Sequence, residues 1–115
     1  MNIEVLENLR GELRRGSVVL AVLGALRTEQ YGYTLRKTLG DRGLAMDEGT
    51  LYPLLRRLET QGLLTSMWRE HDKRNKRFYR LSEDGEQMLT QLLVEWRAID
   101  QSIQDIVKEP SNGTH

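Results

Sequence analysis

Two adjacent arginines on a short predicted helix, followed by a cluster of basic side chains, are the residues here with the clearest chemical use. Arg56 and Arg57 lie in the run from Gly49 to Glu59, and a basic, aromatic stretch begins soon after Gly62. Guanidinium groups bind phosphate oxygens and can donate two parallel hydrogen bonds to the edge of guanine. An arginine-bearing helix joined to a basic β-hairpin therefore predicts contact with a DNA groove.

The helix that carries these arginines is predicted to run from about Asp47, a candidate N-cap, to Gln61. At about 100° per residue its leucines fall on one side and its polar side chains on the other. Thr50 and Tyr52 lie near its amino-terminal end. Pro53 removes a backbone hydrogen bond and clashes with the preceding turn, so we expect the helix to restart near Thr50 or to carry a kink.

The basic stretch after this helix has the composition of a β-hairpin. Strands are predicted over 63–70 and 76–81, joined by a polar loop over 71–75. Its positive charge would track phosphates or lie beside the minor groove, and it comes from Arg69, Lys73, Arg74, Lys76 and Arg77. Because duplex DNA offers no exposed base faces, we expect the aromatic residues to pack within the hairpin, namely Trp68, Phe78 and Tyr79.

The elements before this unit are predicted to be helices. Apolar residues at helical spacing indicate a first helix over 2–15, which Gly16 interrupts. Ser17 is a plausible N-cap for a second helix to about Thr28, whose apolar start predicts the buried centre of the domain. A third helix is expected from Tyr33 to about Leu39.

The carboxy-terminal residues predict a long helix capped by Ser82. Its apolar residues are spaced 3, 4, 3, 4 and 3 apart, which is a heptad seam: Leu89, Leu92, Trp96, Ile99, Ile103 and Ile106. A seam of about two and a half heptads is short for a free coiled coil. We therefore expect it to pair with the same helix of a second subunit and with the first helix, through Leu6 and Leu9.

Composition limits the classes of function. The 115 residues contain no cysteine and two histidines, and no catalytic triad or metal-ligand spacing is present. We therefore expect no enzyme activity, no metal and no cofactor. The apolar run from Val18 to Leu26 is too short to span a membrane and the residues before it are too acidic for a signal peptide, so a cytoplasmic location is expected.

The formal net charge of zero conceals an uneven distribution. Residues 1–80 carry 15 Lys and Arg against 10 Asp and Glu, whereas residues 81–115 carry two against seven. The amino-terminal part could bind DNA while an acidic helix faces away. The alternative is a domain of the same helix-and-hairpin shape that binds protein and lacks sequence-specific DNA binding, which zero net charge would also fit.

Several short motifs resemble those of the PadR family of bacterial transcriptional regulators. They are Thr50-Leu51-Tyr52-Pro53-Leu54-Leu55-Arg56-Arg57-Leu58-Glu59, then Gly62-Leu63-Leu64, Arg77-Phe78-Tyr79-Arg80-Leu81-Ser82-Glu83-Asp84-Gly85 and Tyr31-Gly32-Tyr33. The resemblance implies a mostly α winged helix-turn-helix with a small β-hairpin. Residues 1–81 would form the DNA-binding domain and residues 82–109 the dimerisation helix. Residues 110–115, a polar terminus, are expected to form a disordered tail.

The resemblance also implies roles for individual residues. The 47–61 helix would enter the major groove, where four of its residues contact bases or phosphates: Thr50, Tyr52, Arg56 and Arg57. Packing against the neighbouring helix is an equal alternative for Tyr52. The flanking backbone would be contacted by Tyr33, Arg36 and Lys37.

A further implication of the resemblance is an effector site at the dimer seam. Trp96 would lie near its symmetry mate and sandwich a flat aromatic compound, and Asp100 one turn later would favour a cation. Met88 and Leu92 would line this site or fill it. The alternative for Trp96 is an interface anchor. The resulting hypothesis is a homodimeric, ligand-responsive repressor on a two-fold operator with half-sites about one helical turn apart.

Overall fold

The computed structural model describes residues 1–109 as four helices and one three-stranded antiparallel sheet. The mostly helical class and the order of helices, hairpin and long last helix are confirmed. The predicted disordered tail, 110–115, lies outside the described residues. In chain order the elements are α1 Ile3–Ala25, β1 Gln30–Tyr31, α2 Gly32–Asp41, α3 Glu48–Thr60, β2 Leu64–His71, β3 Arg74–Leu81 and α4 Glu83–Lys108.

The first helix is continuous, so the predicted division into helices over 2–15 and 17–28 is wrong. Asn2 caps α1 by accepting a hydrogen bond from the Val5 amide, and the helix then runs through Gly16. A glycine inside a helix costs only about 1 kcal/mol, which the other residues of α1 offset. Ser17 is no cap, since its hydroxyl donates to the Leu13 carbonyl one turn back at 3.4 Å.

The core is built by leucines and a valine from α1, α2 and α3, as their helical spacing predicts. The carboxy-terminal part of α1 is central to it, with Val22 and Leu23 completely buried. The other core residues of the helices and the sheet are Leu26, Leu35, Leu39, Leu51, Leu55, Leu58, Leu64, Tyr79 and Leu81. This packing fixes which face of α3 points outward.

Helix α3 begins as predicted and passes through its proline without restarting. The Asp47 carboxylate accepts the Thr50 amide at 2.8 Å, and Gly62, at φ 82°, follows the end of the helix. Pro53 lies inside the continuous helix, contrary to the expectation of a restart. Its missing amide leaves the carbonyl of Gly49, an exposed residue, without that donor, and water can supply one.

The hairpin turns more tightly than predicted. The ladder between β2 and β3 continues to the pair His71 and Arg74, so the expected five-residue loop over 71–75 is wrong. Asp72 and Lys73 alone form the turn, both with positive φ, at 53° and 65°. A two-residue turn of this hand matches the twist of the strands. The short strand β1, which the sequence pattern did not predict, pairs with β3.

Helix α4 starts at the predicted cap, and its two halves differ in burial. The Ser82 hydroxyl accepts the Gly85 amide at 2.9 Å. Leu89 is buried in the core of its own chain and Leu92 packs against that core. The prediction of Leu89 as an intersubunit residue is therefore wrong. Beyond Leu93 the apolar residues are exposed, and the chain is elongated, at 66 × 34 × 22 Å.

Within residues 1–109, no helix combines the length and the apolar composition that a membrane span needs.

Candidate nucleic-acid interface

The exposed face of α3 has two flanks, and the adjacent arginines lie on different ones. Arg56 and Tyr52 line a concave surface between α3 and the hairpin. Arg57 and Thr50 line a groove on the other flank, toward α1. Neither arginine lies within ion-pair distance of a carboxylate among the described residues. The two guanidinium groups are therefore free to bind external acceptors on either side of the helix.

The surface between α3 and the hairpin combines aromatic and cationic side chains. It encloses about 690 Å³ and also involves the start of α2. Tyr33, which is 62 % exposed, lies at its edge. The residues that give it its character are Tyr33, Tyr52, Arg56, Trp68, Lys76 and Arg77. A curved surface with these donors can receive the phosphate backbone of a duplex.

Tyr52 is held in place by packing. Its ring lies against Gly32 at the first position of α2, where an added Cβ would overlap the phenol. The side chain is half-buried and joins α3 to the amino-terminal end of α2. Of the two roles considered for Tyr52, contact with DNA and packing against the neighbouring helix, this geometry supports packing.

Arg36, predicted to contact the DNA backbone, is paired within the chain. Its guanidinium donates to the Glu48 carboxylate at 3.0 Å and to the Met46 carbonyl at 3.5 Å. These bonds tie α2 to the start of α3. The Lys37 ammonium lies 3.4 Å from Asp41 on the exposed surface, a pair that contributes little to stability.

Arg77 joins the hairpin to α3. Its guanidinium donates to Glu59 at 2.8 Å and to the Ser66 hydroxyl at 3.0 Å, and that hydroxyl donates to the other Glu59 oxygen at 2.5 Å. This pairing gives Arg77 a positioning role, while its predicted contact with DNA stays a prediction. Glu59 and Ser66 were missed, because their contacts with Arg77 span 18 and 11 residues of sequence.

Replacing Glu59 with glutamine is expected to lower the free energy of unfolding by about 1 kcal/mol. The change removes the charge from two charge-assisted hydrogen bonds, and partial exposure of the pair reduces their worth. Chemical denaturation at fixed protein concentration measures this. Glu70→Gln, at an exposed hairpin position, is the control and should change stability little. Equal stability of the two variants would contradict the positioning role.

The tip of the hairpin keeps its cations available. Lys73 and Arg74 are exposed, and no carboxylate of the described chain lies within ion-pair distance of either. Lys76 lies over the Tyr31 ring, at 4.4 Å from its centroid. Arg69 is engaged with Glu29 at 2.6 Å. Lys73 and Arg74, beside Asp72 at the turn, are therefore available to an external anion.

The aromatic residues of the hairpin differ in burial. Phe78 and Tyr79 are buried, as predicted. Trp68 is 65 % exposed, so the packing prediction for it is wrong. Its cross-strand partner is Arg77, whose guanidinium lies 5.8 Å from the indole centroid.

Burial raises the pKa of the Tyr79 hydroxyl above 10.0, an effect that Arg77 partly opposes. A group whose pKa is higher in the folded state binds its proton more tightly there, so stability is unchanged below the unfolded pKa and falls as pH rises above about 10. Tyr79→Phe is expected to reduce this alkaline loss. Denaturation midpoints measured across the alkaline range test it, and an identical loss in the phenylalanine variant would contradict it.

The residues predicted for the dimer seam and the effector site lie mostly on open surface. Trp96 is 47 % exposed, and Met88 is exposed two turns before it. Asp100 accepts a hydrogen bond from the Gln104 amide at 3.0 Å. Leu92 packs on the core of its own chain. On α1, Leu9 is exposed and Leu6 half-buried.

Comparison with known proteins supports this architecture. Residues 19–91 match the family described as "Transcriptional regulator PadR-like family". The chain is 36 % identical over 108 residues to "Transcriptional regulator Rv3488" of Mycobacterium tuberculosis, covering 90 % of this chain and 98 % of that protein. A PadR family transcriptional regulator from Eggerthella lenta has a similar structure, with a TM-score of 0.88, 36 % identity and coverage of 93 % and 96 %. A transcriptional regulator from Clostridium thermocellum has a TM-score of 0.74 at 28 % identity, covering 84 % and 99 %. The chain belongs to the PadR-like family of transcriptional regulators.

Proposed function

We propose that this protein is a homodimeric, ligand-responsive repressor that acts in the cytoplasm and binds a two-fold symmetric operator. The observation that carries the proposal is the common surface formed by the outer face of α3 and the hairpin. Arg56 lines it, Lys73 and Arg74 lie at the turn of the same hairpin, and none of the three has an internal carboxylate partner in the described chain. Free guanidinium and ammonium groups are what phosphate binding requires.

In this proposal α3 enters the major groove and the hairpin follows the adjacent backbone. Arg56 and Arg57 extend from opposite flanks of α3, so one reaches toward the hairpin side of the groove and the other toward the α1 side. Thr50, near the start of α3, is exposed and close to the base edges in such a pose. Lys73 and Arg74 bind phosphates and contribute affinity with little sequence information.

Dimerisation is supported by apolar surface that the single chain leaves uncovered. The carboxy-terminal half of α4 exposes Trp96, Ile99, Ile103 and Ile106 on one helical face. Contiguous exposed apolar surface of this kind is typical of protein interfaces. Two copies related by a two-fold axis would place two α3 helices about one DNA turn apart.

The effector site is proposed at Trp96. Two exposed indoles brought together at the axis would bind a flat aromatic compound, and Asp100 would favour a positive charge on it. Such a ligand relieves repression only if it binds the dimer arrangement that is incompetent for DNA more tightly than the other. Tryptophan fluorescence of the Trp68→Phe variant, titrated with planar cationic and phenolic compounds, tests this. Trp96 is the one tryptophan left in that variant, so emission that none of these compounds changes would retire the site.

The DNA proposal is tested by gel shift with the DNA upstream of the gene for this protein. A shift at low salt by micromolar protein is expected, with affinity falling steeply as salt rises, because each phosphate contact releases counterions. Absence of a shift would contradict DNA binding. The competing function, a winged-helix module that binds protein, predicts no such shift, and zero net charge favours it.

A further inference from the structure

The concave surface between α3, the hairpin and the start of α2, called here the α3–hairpin cleft, holds an aromatic side chain that duplex DNA leaves uncovered. Trp68 lines this cleft and is 65 % exposed. A duplex presents base edges in its grooves and offers no free base face to an indole. A small ligand with an unstacked aromatic ring would cover this surface, whereas a phosphate backbone would not.

The same cleft receives a hydroxyl that has no partner. Tyr79 lines the cleft and is only 7 % exposed, and its hydroxyl makes no hydrogen bond with the described residues. Among residues 1–109 no polar side-chain atom is both completely buried and unpartnered, so this hydroxyl reaches solvent through the cleft. Because burial raises its pKa, the hydroxyl stays protonated at neutral pH and can donate a hydrogen bond to a ligand.

The charges around this hydroxyl are mostly positive. Arg56 and Lys76 line the cleft, and neither lies within ion-pair distance of a carboxylate in the described chain. Arg56, Arg77 and Glu59 all act on the pKa of Tyr79, so their charges lie near its hydroxyl. The Glu59 carboxylate is paired with Arg77 at 2.8 Å, which leaves Arg56 to favour an anion.

The start of α2 adds backbone donors to the cleft. The helix begins at Gly32, and its N-cap, Tyr31, supplies no side-chain hydrogen bond. The first amides of a helix have no partner within the helix and carry the positive end of its dipole, which favours phosphate. Gly32 and Tyr33 line the cleft, so this helix end borders the space that the free hydroxyl and Arg56 share.

Asn75 provides a side chain that can read the edge of a base. It lines the cleft on β3, two residues before Arg77, which pairs across the ladder with Trp68. Because side chains alternate along a strand, Asn75 and Trp68 lie on the same face of the hairpin. An asparagine amide can donate to and accept from adenine at the same time. An aromatic face and an amide therefore adjoin the anion-binding end of the cleft.

We propose that the α3–hairpin cleft is a binding site for an adenine mononucleotide. The base would stack on Trp68 with its edge toward Asn75. The phosphate would accept hydrogen bonds from Arg56, the Tyr79 hydroxyl and the first amides of α2. The cleft encloses about 690 Å³, within the usual range for small-molecule sites. Inorganic phosphate would satisfy the donors but leave the indole exposed, so the nucleotide accounts for more of the observations.

A nucleotide in this cleft would compete directly with DNA. Arg56 contacts DNA in the proposed function and phosphate of the nucleotide in this one, so the two ligands exclude each other. This consequence rests on the proposed function, whereas nucleotide binding itself does not. It also differs from the proposed effector site at Trp96, where a ligand acts through different affinities for two dimer arrangements.

The first test is isothermal titration of the full chain with adenosine monophosphate. Saturable binding is expected with a Kd at or below about 1 mM. Ribose phosphate lacks the base and adenosine lacks the phosphate, so each should bind at least about tenfold more weakly. Absence of saturable binding by the nucleotide would overturn the proposal. Equal affinity for ribose phosphate would overturn the base site.

Two variants test the assigned groups. Trp68→Ala removes the stacking surface and Tyr79→Phe removes one donor to the phosphate, and each is expected to weaken nucleotide binding about tenfold. Trp68 is exposed and phenylalanine fills the space of the Tyr79 ring, so both variants should fold, which circular dichroism checks. Arg42→Ala, at the exposed end of α2, is the control and should bind like the wild type. Wild-type affinity in either cleft variant would overturn the assigned site.

The two tryptophans distinguish this cleft from the proposed effector site. Adenosine monophosphate should quench the emission of the Trp96→Phe variant, in which Trp68 is the one tryptophan, and leave that of Trp68→Phe unchanged. Quenching of Trp96 without quenching of Trp68 would overturn the cleft as the nucleotide site.

Competition separates this inference from the proposed function. Adenosine monophosphate should displace labelled upstream DNA from the wild type in fluorescence anisotropy, and about tenfold more should be needed with Trp68→Ala. DNA that stays bound at saturating nucleotide would overturn the shared cleft. If the nucleotide binds but upstream DNA does not, the DNA proposal fails and the nucleotide site stands.

Discussion

Replacing Gly85 with alanine is expected to destabilise the protein by about 2–3 kcal/mol, because there is no room for a methyl group at this position. A Cβ would overlap the Leu63 carbonyl oxygen and lie 2.9 Å from a Leu81 methyl carbon. That carbonyl already accepts the Ser82 amide at 2.9 Å, so the start of α4 is pressed against the turn after α3. Thermal and denaturant unfolding at one fixed protein concentration measure the loss, expected as a fall in Tm of about 10 °C.

Gly16→Ala is the matched control for this change. Gly16 is also inside a helix, but a Cβ there meets nothing within 4 Å. The alanine should stabilise the protein by about 0.5–1 kcal/mol, because glycine is the poorer helix former. If Gly85→Ala were as stable as Gly16→Ala, the close approach of α4 to Leu63 would be wrong.

The double variant Arg56→Ala/Arg57→Ala is expected to weaken binding to the operator by about 100-fold. Each arginine that contacts a base or phosphate contributes about 1–3 kcal/mol. Since Arg56 and Arg57 lack internal ion-pair partners in the described chain, the fold should remain. Fluorescence anisotropy across a salt series measures the affinity, and the slope of log K against log salt should become shallower by about 2 if both bind phosphates.

Two arginines of the α2 region, Arg42 and Arg36, provide comparisons for this prediction. Arg42→Ala, at the exposed end of α2, should leave affinity almost unchanged. Arg36→Ala should lower stability as well as affinity, because it breaks the bond to Glu48 that ties α2 to α3. Equal affinity of wild type and the Arg56→Ala/Arg57→Ala variant would remove α3 as the reading helix.

The structural features that the sequence predicted correctly depend on neighbours within a few residues. Asp47 and Ser82 were recognisable as caps because each needs only an amide three residues later, and both bonds are present. The leucines of α3 repeat with the helical period, so the buried face of that helix was predictable. The strands of the hairpin were found from composition, although their turn is tighter than expected.

The sequence predicted where the candidate interface lies, but not which of its basic side chains are paired with carboxylates of the same chain. Arg56 and Lys73 are exposed and free of internal ion pairs in the described chain, whereas Arg36 and Arg77 are paired across 12 and 18 residues of sequence. All four are basic residues in basic or helical segments, and nothing local distinguishes them. Only the packing of α2 and the hairpin against α3 brings Glu48 and Glu59 within reach of their arginines.

The apolar seam on α4 shows the same difference between what the sequence predicts and what tertiary packing decides. The spacing from Leu89 to Ile106 determined that α4 has one continuous apolar face, since periodicity is a property of the helix alone. Tertiary structure decided that Leu89 packs inside its own chain while Ile99 to Ile106 stay exposed. Backbone and capping energies depend on residues that are close in sequence, so they can be predicted from the sequence. The choice of a packing partner depends instead on which surfaces the whole fold brings together.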